Sequence, residues 1–518
     1  MKNAALSPSD ITHQICALEA ENKLLREAVQ SLNHQLHWFR KQLFGAKSEK
    51  THSLFPEELK AVQIPLGLNL PETPVTKQEI ITVPAHPRKK TSKKAAFPNN
   101  AGASGLRFDD TVEIEIVTCV NPVLEGLSAQ DYEVIGTETV DKLCQRRAAH
   151  YVKRFIREKV KVKETKQITI APPPASVIPG SFLDNTFLTG LIVDKILYHF
   201  PLYRAYQRLK EGGVYISRST LTNGFHAVGD LIQPVFQAHL EHILTSNILT
   251  MDETRVKVGV NPDNHAMNMG YFWALYGDSD EVAFLSYDSR KHEVVDKIIK
   301  DKFSGTLLTD DYAAYKSYAA RIDSVIHALC WSHSRRYFVD AEPVEPKKVE
   351  QILSMIGELY AIEGQIREKN ITGGKKLAHR AEYSRPIVDK IFDWLKLQRD
   401  DCLSLPKSPF TKGVLYVLDN EKELREFLNN PDLPLDTNHI ERANKHVAIG
   451  KNNWLFCTSE IGAEYVAMFH SLLITARLHN INPYDYLLDI LPRIQCCPTE
   501  DLYSLTPLGW KKARMAAA

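Results

Sequence analysis

The chain has 518 residues, 44% hydrophobic and 25% charged, enough to bury several cores in about three or four domains. A formal net charge of +1 excludes a uniformly basic DNA-coating protein, and no apolar run is long enough for a membrane helix, the best candidate, FLTGLIVDKILYHF, being broken by Asp194 and Lys195. The polar start MKNAALSPSD is not a signal peptide, and eight scattered cysteines, with only Cys496 and Cys497 adjacent, fit reduced thiols; the expected location is cytoplasmic.

Residues 8–50 carry the first periodic signal. Ile11, Leu18, Leu25, Leu32 and Phe39 recur every seven residues, as do Ile15, Asn22, Val29, Leu36 and Leu43, offset by four. These rows are the two seams of a coiled coil, and an Asn in a seam selects a parallel pair of strands. A homodimer zipped through Leu18, Asn22, Leu25, Val29, Leu32 and Leu36 is expected; the plainer alternative is an amphipathic helix packed on its own domain. Residues 51–110 are rich in Pro, Lys, Ser, Asn and Gly and read as a basic linker, with five basic residues from Arg88 to Lys94.

From 111 to 180, EIEIV and VKRFIREKVKVKETKQITIA alternate like strands of a small β-rich module. Nine basic residues lie between Arg146 and Lys166, enough to displace counterions from a phosphate backbone, although such a run also suits a solvated face. Residues 181–245 read as helices: FLTGLIVDKILYHF, PLYRAYQRLKEGG and SRSTLTNGFHAVGDLI, with Gly212 and Gly213 stopping the second and Ser217 or Ser219 capping the third. In a helix-turn-helix the last of these enters a major groove, where Arg218, Thr220 and Asn223 would meet bases or phosphates; packing alone explains the pattern equally well.

Residues 246–340 alternate between periods. SNILTM, YFWALYG and EVAFLSY are β-type runs, KHEVVDKIIKDKF is helical, and TLLT and SVIHALC are further strands. Three strands, a helix, a strand, a helix and a strand give the order of an RNase H-like sheet. Asp252 then falls at the end of the first strand and Asp310 at the end of the fourth, facing one sheet edge. Amphipathic stretches across 341–435 predict a helical insertion, because the 130 residues between Asp310 and Glu441 are too many for a loop. Residues 436–495 resume the core, with Asn438 opening a helix that carries Glu441 one turn in, and 496–518 form a tail. Separated carboxylates of this kind suit a pair of divalent cations, which take oxygen ligands and polarise phosphate oxygens. Glu253 and Asp311 are the rival ligands, since a register error of one would exchange them. Cys330 and His333 are spaced like half a zinc site without its other half, and Trp454 and Phe456 read either as core or as stacking platforms for a splayed base.

The stretches DET at 252–254, TDDYAAY at 309–315, CWSHSRRYF at 330–338, NHIER at 438–442, GKNNWLF at 450–456 and NPYDYL at 482–487, with FGAKSEK at 44–50 and PLYRAYQRLKEGG at 201–213, resemble the transposases of the insertion sequence 66 family. The resemblance spans nearly the whole chain. It implies a multidomain α/β protein whose RNase H-like catalytic domain carries a DDE triad, here Asp252, Asp310 and Glu441, ligating two Mg2+ or Mn2+ ions. The implied chemistry is in-line cleavage at element ends followed by strand transfer, in which one ion activates a water and the other steadies the departing 3′ oxygen. Implied partners are element ends, target DNA, a second copy of the chain and helper proteins of the same element, in the nucleoid. His333, Arg335 and Arg336 would lie beside the catalytic edge, and Arg442, Lys445 and Lys451 along the glutamate helix would contact DNA. The family's two Cys-x-x-Cys knuckles are missing: Cys119 has no partner and Cys144 is isolated, so the β module is expected to be a degenerate zinc-finger remnant without structural zinc. Asp436, Thr437 and Asn438 stand where the family has paired asparagines, and lysines follow where it has arginine, which leaves open a catalytically silent DNA-binding protein or repressor. A nuclease that cuts without joining is a further alternative.

Overall fold

A computed structural model describes residues 106–517, apart from positions 109, 111, 120, 125–127, 129–130, 147–148, 164–165, 262 and 403–407. The heptad segment and nearly all of the linker lie outside the described residues. The described residues fall into two compact units: 336–354 with 398–415, and 106–335 with 355–397 and 416–517. In the first, the ring of Phe338 lies 6.0 Å from that of Phe410, and the lack of a side chain at Gly413 leaves room for Phe338.

The second unit begins with β1 (Arg107–Phe108), β2 (Ile114–Cys119), β3 (Tyr132–Arg146), β4 (Ala149–Val162) and β5 (Ile168–Ile170). Strand β4 is the hub, parallel to β2 and antiparallel to β3 and β5. Leu106 and Phe108, at the end of the segment read as linker, are buried. Helices α1 (Asn185–Leu197), α2 (Leu202–Glu211) and α3 (Arg218–Ile243) follow, with β6 (Val214–Tyr215) pairing antiparallel to β1 between the last two. Gly212 ends α2 and the Ser217 hydroxyl caps α3, as its position before the periodic run predicts. Sequence periodicity ends α3 too early: it runs on through Pro234, burying Leu221, Phe225, Val228, Ile232, Val235, Leu240 and Ile243 along its whole length.

A five-stranded sheet comes next, in the order β11-β10-β7-β8-β9. Its strands are β7 (Ile248–Val260), β8 (Met267–Gly277), β9 (Val282–Tyr287), β10 (Gly305–Thr309) and β11 (Val325–Leu329), with α4 (His292–Ile299) and α5 (Ala313–Ala319) as connections. The first three form an antiparallel meander, while β10 and β11 run parallel to β7, which demands the helical crossovers. Asp252 is not at the end of its strand, as the short run SNILTM suggests. Strand β7 continues to Val260 because β8 pairs with it throughout, while β10 leaves after Thr250.

Helix α6 (Trp331–Ala341) leads into the insertion helices α7 (Pro346–Glu368), α8 (Gly373–His379), α9 (Arg385–Cys402), α10 (Pro409–Asp419) and α11 (Glu421–Arg425), which fill the segment where a helical insertion is expected. Helices α12 (Asn438–Trp454), α13 (Glu460–Leu478), α14 (Pro483–Ile494) and α15 (Pro507–Ala517) close the chain. Helix α13 is buried on every side from Tyr465 to Ala476 and seals edge strand β9: Ser471 Oγ and Thr475 Oγ1 accept the N–H groups of Phe284 and Val282 at 2.8 and 3.0 Å. No helix among the described residues is long and apolar enough to cross a membrane.

Gly305 starts β10 at φ +151°, and a Cβ there would be driven into the Asn247 carbonyl, which already accepts the Thr306 N–H at 2.8 Å. Backbone cannot give way as a side chain can, so Gly305→Ala should cost about 1–3 kcal/mol, read as a lowered Tm in calorimetry. Glu281 is buried between His239, 3.4 Å away, and His242, 2.5 Å away. Burial pushes its pKa up, but hydrogen bonding and charge from the two histidines outweigh it and leave the carboxyl below its ordinary value. Its stabilisation is therefore present above the unfolded carboxyl value of about 4.3 and lost as pH falls through the lower folded value. Wild type should melt above Glu281→Gln at pH 6, the gap closing on acidification; a gap that widens instead contradicts this.

Candidate active site

The pairing of β10 with β7 builds the site. Leu308 lies opposite Thr250 in parallel register, so two residues further on Asp310 comes level with Asp252. Adjacent strands are about 4.8 Å apart, and this brings two carboxylates side by side. Asp310 stands just past the end of β10, where its Oδ1 accepts the Tyr312 N–H at 3.1 Å and shapes the entry to α5. Asp252 Oδ1 accepts the Glu253 N–H at 2.9 Å.

The third acid arrives on α12. Glu441 is in its first turn, on the same face as Asn444 three residues on, and Asn444 Nδ2 donates to Asp252 Oδ2 at 2.7 Å. His333, near the start of α6, brings Nε2 to 3.9 Å from Glu441 Oε1. Asn438 is the first residue of α12 but does not cap it. Thr437 holds the cap position without a side-chain cap bond, giving its N–H and hydroxyl to Cys330 Sγ at 3.2 Å, while the Asn438 amide turns back to Asp436 at 2.6 Å.

The rival carboxylates are engaged elsewhere. Glu253 accepts the Tyr315 hydroxyl at 2.7 Å and pairs with Arg290, whose guanidinium lies over the Tyr312 ring; Asp311 pairs with Lys316. Burial, then the charges of Glu253 and Asp310, push Asp252 up to about 7 against the hydrogen bond from Asn444. Burial also raises Glu253 in spite of Tyr315 and Arg290.

These donors are hard oxygens, the charge of the buried Asp252 carboxylate is poorly compensated, and the buried Asn444 Oδ1 has no hydrogen-bond partner, all of which suits a divalent cation. Among the described residues, no three His, Cys, Asp or Glu side chains converge into a single metal-binding cluster. The aspartates face each other by register, and Glu441 approaches from the helix.

Asn444 escapes a search for acids alone; its signal is the three-residue spacing from Glu441, and Arg290, in the loop before α4, leaves none. Of the expected DNA contacts, Arg335, Arg442 and Lys445 are exposed, but Lys451 turns inward to the Arg255 carbonyl at 3.1 Å. Arg336 belongs to the first unit and is exposed. On α3, Asn223 is exposed and Arg218 lies over the rings of Tyr203 and Tyr206 at 5.3 and 5.8 Å. Trp454 is core and Phe456 is exposed. In the basic run, Lys153, Arg154 and Arg157 pair with Glu115, Asp141 and Glu138, while Lys159 and Lys161 are exposed.

A mixed α/β protein with two carboxylates on neighbouring strands of its sheet, and exposed cations on the helix that carries Glu441, is the class these features define. A profile of the Transposase IS66 family matches residues 180–465, more than half of the chain, and the chain belongs to that family. A second profile, described as Transposase C of IS166 homeodomain, matches residues 31–100. The chain is 27% identical over 516 residues to Uncharacterized protein y4hP of Sinorhizobium fredii (strain NBRC 101917 / NGR234), covering 94% of this chain and 90% of that one. It is 26% identical over 515 residues to Uncharacterized protein y4jD of the same organism, covering 95% and 97%. Among solved structures, the Drosophila P element transposase strand transfer complex is 12% identical with a TM-score of 0.31, over 56% of this chain and 92% of that one.

A carboxylate held near neutrality by burial and like charge destabilises the fold wherever it is ionised. The folded value of about 7 lies above the unfolded one, so the penalty grows from about pH 4 to 7 and is full above that. Asp252→Asn should therefore raise Tm at pH 8 and lose the advantage near pH 4. A lowered Tm at pH 8 would show that the carboxylate is compensated.

Proposed function

We propose that the chain is a DDE transposase that binds the ends of an insertion element and carries out metal-dependent DNA cleavage and strand transfer. The observation that carries the reading is the parallel register of β10 on β7, which sets Asp252 beside Asp310, with α12 tied to Asp252 through Asn444. The strand order β11-β10-β7-β8-β9, with β8 alone antiparallel to both its neighbours, supports an RNase H-like catalytic domain, and family membership supports nucleic-acid cleavage.

Asp252, Asp310 and Glu441 would hold two Mg2+ or Mn2+ ions, which when bound supply Lewis acidity toward phosphate oxygens and water. The chain's own groups do the rest. Asn444 fixes the Asp252 carboxylate through Oδ2, and Tyr312 orients Asp310 through its N–H. His333 stands where it can bear on Glu441 or on a phosphate beside it. Exposed Arg335, Arg442 and Lys445 would draw the DNA backbone toward the carboxylates, and Lys159 and Lys161 would add contacts without sequence preference. No covalent protein-DNA intermediate is needed. Pairing through the heptads of residues 8–50 would hold two element ends in one assembly.

The test is strand transfer with labelled element ends and Mg2+ or Mn2+. Asp252→Ala or Glu441→Ala should abolish cleavage and joining, by a factor of about 1000 or more if the ions supply most of the charge stabilisation, while end binding in a gel-shift assay stays essentially at the wild-type level. Wild-type cleavage by either variant defeats the assignment. Binding without nicking by the wild-type chain identifies a silent DNA-binding protein, and cutting without joining identifies a nuclease.

A further inference from the structure

Arg380 is fully buried at the start of a π-helical turn, Arg380–Ser384, between α8 and α9. A guanidinium carries five N–H donors, and each one left unpaired in the interior costs desolvation energy. All five are used. Nε and one Nη2 proton grip the Glu363 carboxylate at 2.7 and 2.8 Å. The Nη1 protons reach the carbonyls of Phe427 at 2.6 Å and Asn430 at 2.9 Å, and the remaining Nη2 proton reaches that of Leu433 at 3.0 Å.

Those three carbonyls lie on the stretch that delivers α12, the first of them in the short 3-10 turn Glu426–Leu428. Just beyond them, the Leu435 carbonyl accepts the Trp331 N–H at 3.1 Å, and Thr437 is bound to Cys330. The path from Phe427 to Thr437 is therefore pegged first by the insertion and then by the residues that leave β11, and Asn438 begins the helix at once. A buried ion pair serving stability alone is replaceable by apolar side chains, so it carries little information. One cation that binds three carbonyls of the same strand of chain, with its fork fixed by a carboxylate, defines a course for that chain.

We infer that Arg380 is a positioning residue: with Glu363 behind it, it sets where α12 begins and so where Glu441 stands relative to Asp252. The inference rests on reading Glu441 as the third ligand. It makes the insertion part of the catalytic apparatus, because a displacement of about 1 Å at a reacting group can cost about 100-fold in rate.

The experiment compares full-length wild type, Arg380→Lys and Glu363→Gln by amide hydrogen exchange over residues 427–441 and by cleavage of labelled ends. Lysine keeps the charge but has three donors and no fork. The Glu363→Gln amide leaves the carbonyl bonds in place and turns an N–H toward the guanidinium. Arg380→Lys should bind ends normally, exchange faster across 427–441 and cleave about 10- to 100-fold more slowly, with Glu363→Gln intermediate in both. If Arg380→Lys fails to fold, Glu363→Gln alone decides. Unchanged exchange across 427–441 overturns the inference, as does faster exchange with wild-type cleavage. If the variants loosen 427–441 while the wild-type chain does not cleave, the clamp stands and the reading of the carboxylates falls.

Discussion

The site depends on one constraint, the in-register parallel pairing of a five-residue strand with the middle strand of the sheet. Thr306, Leu307 and Leu308 must face Ile248, Leu249 and Thr250, since a slip of one would turn the buried side chains of β10 to the wrong face. That same requirement fixes Asp310 opposite Asp252. Apolar packing thus enforces an arrangement that electrostatics opposes: two carboxylates at neighbouring positions, one pushed up to about 7 by burial and like charge. Gly305 allows the approach, because only a residue without Cβ can pass the Asn247 carbonyl there.

Helix α12 is aligned to that strand by three contacts in step with it. His439 Nε2 meets Thr250 Oγ1 at 2.9 Å, Asn444 meets Asp252, and Lys451 meets the Arg255 carbonyl. From His439 to Lys451 a helix rises about 18 Å, and from Thr250 to Arg255 a strand advances about 16 Å. Helix and strand therefore run in the same direction over similar lengths, and the Cys457 N–H then bonds the Lys257 carbonyl. The Lys451 ammonium meets two separate oxygens of β7, the Arg255 carbonyl at 3.1 Å and the Thr254 hydroxyl at 3.4 Å, which a point charge with rotatable donors serves without a planar fork.

The strands of the sheet were legible because each is a short apolar or alternating run between turn residues, such as Asp278, Ser279 and Asp280 between β8 and β9. The order of strands and helices set Asp252 and Asp310 toward one edge of an RNase H-like sheet; their adjacency comes from the parallel pairing of β10 with β7. Strand ends were less visible: β7 outlasts its apolar start because pairing with β8 supports Arg255 and Lys257, residues without strong strand preference. Strand β3, the longest among the described residues, has a polar sequence without clear alternation, and residues 132–139 are mostly exposed. Side-chain partners were out of reach altogether. Nothing in the order of residues says that Asn444 meets Asp252 or that Arg380 meets Phe427, separated by 192 and 47 positions.

Charge explains how a nearly neutral chain could serve an anionic partner. The basic run on β4 is weaker than its composition suggests, because cross-strand acids neutralise Lys153, Arg154 and Arg157. Exposed cations remain at Lys159 and Lys161, at Arg335, and on the helix of Glu441 at Arg442 and Lys445. Cations on the same helix as Glu441 offset the repulsion that an acidic site presents to phosphate, which falls off over about 10 Å at ordinary ionic strength. In the proposed function these cations would gather backbone affinity beside the acids, where a bound divalent cation would further offset the repulsion between phosphate and carboxylates.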